Sequence, residues 1–136
     1  MTTVLVVNHD IDIADEQASS LRRLGYQVTQ CSGPAAWTCP VLRGQACSWV
    51  ASADVLLYDV WATGERNGAR DVIEGLRELY PNIPIVLAAP GMELSWVETS
   101  GRHGITPLVG KVNGPSLGAA MEAALGTQTS QIAVAS

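Results

Sequence analysis

The sequence predicts a doubly wound α/β sandwich built around a parallel sheet, and three observations carry that expectation. Short, continuous apolar runs of strand length recur along the chain, as expected for strands buried on both faces. Segments with apolar residues at helical spacing alternate with them, which argues for βα units. Three of the runs end in polar residues: Val4–Val7 leads into Asn8, His9 and Asp10, Val55–Tyr58 into Asp59, and Thr106–Gly110 into Lys111. In an open parallel sheet the carboxyl ends of the strands share one rim, where ligand chemistry gathers. A carboxylate at the tip of a buried strand is costly unless it is paired or used.

The elements follow in order. Val4–Val7 is the first strand. Asp10 or Asp12 caps a helix over about residues 12–24, with Ile13, Ala14, Ala18, Leu21 and Leu24 at helical spacing. Gly25 closes it, and Tyr26–Gln30 reads as the second strand. Residues 31–53 hold Gly33-Pro34, Cys39-Pro40 and Gly44, so a short or broken helix inside a longer loop is expected there. Val55–Asp59 is the third strand, and 61–68 a polar loop. A helix over about 69–80 carries Val72, Ile73, Leu76 and Leu79 on one face. Ile85–Ala88 is the fourth strand, 92–101 a weaker helix, and Thr106–Gly110 the fifth strand. Pro115 opens a last helix through Leu125. Residues 1–126 then form one domain and 127–136 a flexible tail.

At 136 residues the chain is long enough for one core. It is 47% apolar and 15% charged, with a net charge of −5. Disorder is therefore not expected over most of its length. Arg22-Arg23 is the one adjacent basic pair, so the basic stripe of a nucleic-acid binder is missing. No apolar run reaches membrane-spanning length, and the start lacks a basic leader, which predicts a cytoplasmic protein. Three cysteines agree with a reducing compartment. Cys31, Cys39 and Cys47 are too widely spaced for a CxxC site and read as small apolar residues. A redox or metal sensor built on them is the third functional reading. Four tryptophans accompany no phenylalanine; Trp61 can cover the Asp59 pocket, and Trp37 and Trp49 suit a protein interface. Gly64 and Gly68 match no phosphate loop, and no nucleophile–base pair or cofactor motif appears, so an enzyme is not expected.

These residues resemble the receiver domain of two-component response regulators, a CheY-like fold. The fragments are Val4-Leu-Val-Val-Asn8-His9-Asp10, Leu24-Gly25-Tyr26, Asp54-Val-Leu-Leu-Tyr-Asp59, Ile83-Pro84-Ile85-Val86-Leu87 and Gly110-Lys111. They occur in the family's order and cover about residues 3–125. The resemblance implies a flavodoxin-like three-layer sandwich with a five-stranded parallel sheet of order 2-1-3-4-5. It also implies Asp59 as phospho-acceptor and Lys111 as its cationic partner. A protein partner follows, either a target or a sensor kinase, as does a possible homodimer through the fourth helix, fifth strand and fifth helix (about 92–125).

The departures bear on chemistry. Where the family carries two acidic residues that hold Mg²⁺, this chain has Asn8 and His9. Magnesium takes hard oxygen ligands in octahedral geometry, usually with carboxylates among them. Each lost charge is worth on the order of 4 kcal/mol at ~4 Å and an effective dielectric near 20, before desolvation. Asp10 and Asp59 remain as weak metal ligands, but Asp10 follows on an extended chain and points the other way. The hydroxyl position ending strand four is Ala89, followed by Pro90, and the aromatic switch position on strand five is Leu108. The resulting expectation is a stand-alone, atypical receiver domain that binds a protein, with no cofactor or weakly bound Mg²⁺ and weak or absent phosphorylation. The alternative is conventional phosphorylation of Asp59 by a histidine kinase.

Overall fold

In the computed structural model, residues 2–31, 40–59, 68–89, 105–109 and 112–135 are described. Five parallel strands form one sheet: β1 (Thr3–Val7), β2 (Gln27–Cys31), β3 (Val55–Asp59), β4 (Ile85–Ala89) and β5 (Ile105–Val109), in the order β2-β1-β3-β4-β5. The expected strands are all present, each within one residue of its expected bounds. The helix expected over 92–101 lies outside the described residues.

The two sheet faces bury different helices because side chains alternate along each strand. Leu5, Val7, Leu56, Tyr58, Ile85 and Leu87 pack on one side with Val72, Ile73 and Leu76 of α3 (Gly68–Leu79). Val4, Val6, Val55, Leu57, Val86, Ala88 and Leu108 pack on the other. There they meet Ala14 and Leu21 of α1 (Ile11–Arg23) and Leu117, Ala120, Met121 and Ala124 of the C-terminal helix (Gly114–Ala135). The spacing of those four residues, i, i+3, i+4 and i+7, sets that helix's buried stripe.

Local chemistry fixes each helix end. Asp10 is the N-cap of α1: its Oδ1 accepts from the amides of Asp12 (3.0 Å) and Ile13 (3.2 Å). At the other end Gly25 takes φ +98°. The Tyr26 amide donates to the Leu21 carbonyl at 3.1 Å and Gly25 to Arg22 at 3.0 Å, a Schellman close that any L side chain at 25 would strain. Asn113 and Ser116 cap the C-terminal helix reciprocally: Asn113 Oδ1 accepts from the Ser116 amide, and Ser116 Oγ from the Asn113 amide.

The expected break in the second helical region is real. A single 3₁₀ turn (Val41–Arg43) and the short α2 (Ser48–Ala51) stand where a full crossover helix would lie. Tyr80 anchors this segment, its hydroxyl donating to the Cys47 carbonyl (3.1 Å) and accepting from the Cys47 amide (3.0 Å). Gly75 allows the 3₁₀ turn to sit tight on α3, since a Cβ there would lie 3.1 Å from Val41 Cγ1.

Two expectations need correction. Ile13 and Leu24, read as part of α1's core stripe, are 45% and 50% exposed, while Gln17 is buried. They lie nearly a quarter-turn from the centre of the Ala14–Ala18–Leu21 face, at its edge. The C-terminal helix, expected to stop near Leu125 before a loose tail, continues to Ala135. Gly126 costs a helix only about 1 kcal/mol, and no proline follows to end it.

Candidate functional site

The site at the strand tips is built from the sheet register. Val7 pairs with Tyr58 and Asp59 with Ala88. The residue after Val7, Asn8, therefore stands level with Asp59 on the neighbouring strand, about 4.8 Å away along the sheet. The Asn8 amide donates to the Cys31 carbonyl at 3.1 Å, which carries the ladder one residue past β1. Leu57 faces α1 and Tyr58 faces α3, so Asp59, next in the alternation, returns to the α1 side.

Asn8 is 2% exposed and Asp59 7%, the two most deeply buried polar side chains at this rim. Asn8 Oδ1 accepts from the Asp10 amide at 2.9 Å, an Asx turn that leads the chain into α1. Its Nδ2 is buried and has no hydrogen-bond partner among the described residues. An unmet buried donor of this kind costs about 1–3 kcal/mol. His9 is exposed, so the alternation turns the imidazole out of the space that Asn8 and Asp59 share.

Asp10 is half-buried, and its Oδ1 serves the helix cap. That commitment explains the residue in helical terms: the cap satisfies two of the first-turn amides and opposes the helix dipole. Asp10→Ala is expected to cost about 1 kcal/mol, measured as a urea midpoint shift, with Asp10→Ser recovering most of it.

Among the described residues, no three His, Cys, Asp or Glu side chains are grouped as a metal site. Ala89 ends β4 and Leu108 is buried against the α1 layer. Trp61, Lys111, Pro90 and His103 lie outside the described residues, as do Cys39, Trp37 and Trp96. Cys31 and Cys47 are half-buried and neither is in a disulfide, and Trp49 is 45% exposed. The anchoring role of Tyr80 leaves one trace in the sequence, a tyrosine just before Pro81. At the opposite rim Arg77 Nη1 donates to the carbonyls of Tyr80 (3.2 Å) and Ile83 (2.6 Å), and burial lowers its pKa. Asp54 Oδ2 accepts from the Thr3 amide at 2.8 Å on the same rim, so side chains tie its loops to the strand starts.

No family model and no curated protein matches the chain. Solved structures do. NtrX from Brucella abortus superposes with a TM-score of 0.78 at 19% identity, over 99% of this chain and 29% of that one. The chain thus spans under a third of NtrX. A response regulator receiver domain protein from Clostridium thermocellum gives 0.74 at 15% identity, over 95% of this chain and 98% of its own. The chemotaxis response regulator CheY4 of Vibrio cholerae gives 0.67 at 21%, over 91% and 98%. No helix among the described residues is long and apolar enough to cross a membrane. With its strand order and a helical layer on each sheet face, the chain has the CheY-like fold of response-regulator receiver domains.

Proposed function

We propose that this chain is an atypical receiver module that acts by binding a protein partner, with Mg²⁺-dependent phosphorylation of Asp59 weak or absent. The observation that carries the reading is the neighbour of Asp59 at the rim: a buried neutral amide, Asn8, in place of a charged oxygen ligand. Magnesium requires several hard oxygens. The described residues offer Asp59, the Asn8 carbonyl oxygen already engaged by the Asp10 amide, and an Asp10 carboxylate engaged by the helix. That donor set does not fit the ion. Phosphoryl transfer draws on a metal to neutralise charge on the moving group, so its loss slows the step. In this reading the chain works by contact and not by catalysis, acting in the cytoplasm on a target or a sensor kinase.

The test is incubation with a small-molecule phosphodonor and Mg²⁺, read by intact mass. The expected result is no stoichiometric adduct of about 80 Da. A full adduct that Asp59→Asn abolishes would instead establish a conventional phospho-acceptor.

A further inference from the structure

We propose that the outer edge of α1 is a self-association surface, on which a second copy of this chain packs its own α1 antiparallel about a two-fold axis. The surface starts in the first turn of α1, close to the Asp59 rim, runs along the flank of the sandwich to Leu24, and does not use the carboxylate chemistry at that rim.

Four large apolar side chains are exposed among the described residues, and three of them belong to α1 or its cap: Ile11, Ile13 and Leu24. Ile13 and Leu24 are eleven residues apart and return to one face. Together with Glu16, Ser20 and Arg23 they trace a seam with steps of three, four, three and one, the spacing by which one helix meets another. Beside this seam runs an open groove of about 690 Å³ between α1 and the C-terminal helix. Arg23 and Leu24 line one bank, and Pro115, Gly118, Ala119 and Glu122 the other. Gly118 keeps its bank of the groove clear beside Leu24, since a Cβ there would meet Leu24 Cδ1 at 3.4 Å.

The charge pattern selects the occupant. The first half of α1 exposes Asp12, Asp15 and Glu16, and its last turn Arg22 and Arg23. None of these five forms an ion pair with a described residue; Arg23 Nε donates only to the Ser19 carbonyl at 3.4 Å. A parallel copy would set like charge on like. An antiparallel copy centred between Ala18 and Ser19 sets acid against base twice, as a two-fold interface requires. In that one register Ile13 of each copy lies over Leu24 of the other, and Glu16 comes within a turn of Arg23. Apolar and charged complementarity therefore agree on the same alignment. Two helices of this length, with only partial support from the groove, make a small interface of the reversible kind.

Sedimentation velocity of the full chain from about 10 to about 500 µM tests the proposal, with a dissociation constant on the order of 100 µM expected. Glu16→Arg or Arg23→Glu alone places like charges together twice and is expected to weaken association at least about tenfold. The double reversal, E16R/R23E, restores wild-type association because each pair is merely exchanged. Ile13→Lys, at an exposed position that leaves the fold intact, weakens it in the same way. A chain monomeric at every concentration overturns the proposal. So does a dimer indifferent to the single reversals, which would place the contact on another face, or a double reversal that fails to restore it.

Discussion

Replacing Asn8 and His9 together by aspartate is expected to destabilise the protein in metal-free buffer and to make its stability rise with Mg²⁺, a response the native chain lacks. The strand register sets this effect: a carboxylate at position 8 stands level with Asp59, both buried at the strand tips. Two charges about 5 Å apart at an effective dielectric of 20 repel by about 3 kcal/mol. The double variant N8D/H9D should therefore lose on the order of 2–3 kcal/mol without metal. A divalent cation reverses the sign of that interaction. At ten times its dissociation constant, Mg²⁺ adds about 1.4 kcal/mol through binding only the folded state. Thermal melts with and without Mg²⁺ read this directly. The same variant should acquire an adduct of about 80 Da from a phosphodonor where the native protein does not. A double variant whose melting ignores Mg²⁺ would show that the missing acids are not what limits the site.

The second large effect lies in the core. Leu57 is 1% exposed, paired with Val6 on one side and Val86 on the other, and covered by the α1 and C-terminal helices. Neighbours fixed on three sides cannot collapse into the space a truncation leaves. Leu57→Ala is expected to cost about 3 kcal/mol, combining the lost transfer free energy with the cavity term. Against a total stability of about 5–15 kcal/mol that is a large share, and the melting temperature should fall by about 10 °C. The urea midpoint should fall with an unchanged slope if the unfolded state is unaffected. Thr29→Ala on the edge strand β2, where the side chain is exposed, should stay within about 0.5 kcal/mol. A loss at Leu57 no greater than at Thr29 would contradict the packing described for that face.

Three of the strands were legible because each is a short apolar run that needs no context to be recognised: Val4–Val7, Val55–Tyr58 and Ile85–Ala88 are buried on both faces as such runs must be. Capping was equally local, and Asp10 and Gly25 act where their chemistry placed them. What escaped depended on tertiary geometry. Ile13 and Leu24 share the periodicity of core residues, and only the angular width of the sheet-facing stripe leaves them outside it. The end of the C-terminal helix was missed because Gly126 weakens a helix without terminating one. At the site, the pattern identified Asn8 as a substituted position. It could not reveal that the amide is nearly inaccessible or that it turns the chain into α1. Tyr80 was silent because its hydroxyl reaches a backbone 33 residues away.

The turn from Asn8 to Ile13 has one further consequence. Main-chain donors from Asp10, Asp12 and Ile13 converge on two side-chain oxygens, Asn8 Oδ1 and Asp10 Oδ1, and stitch the end of β1 to the start of α1. Those oxygens do internally what a bound cation does elsewhere when it gathers scattered ligands into one shape. On the proposed reading this turn is expected to keep its shape with or without a chelator, and a docking partner would meet the same contour there in either condition.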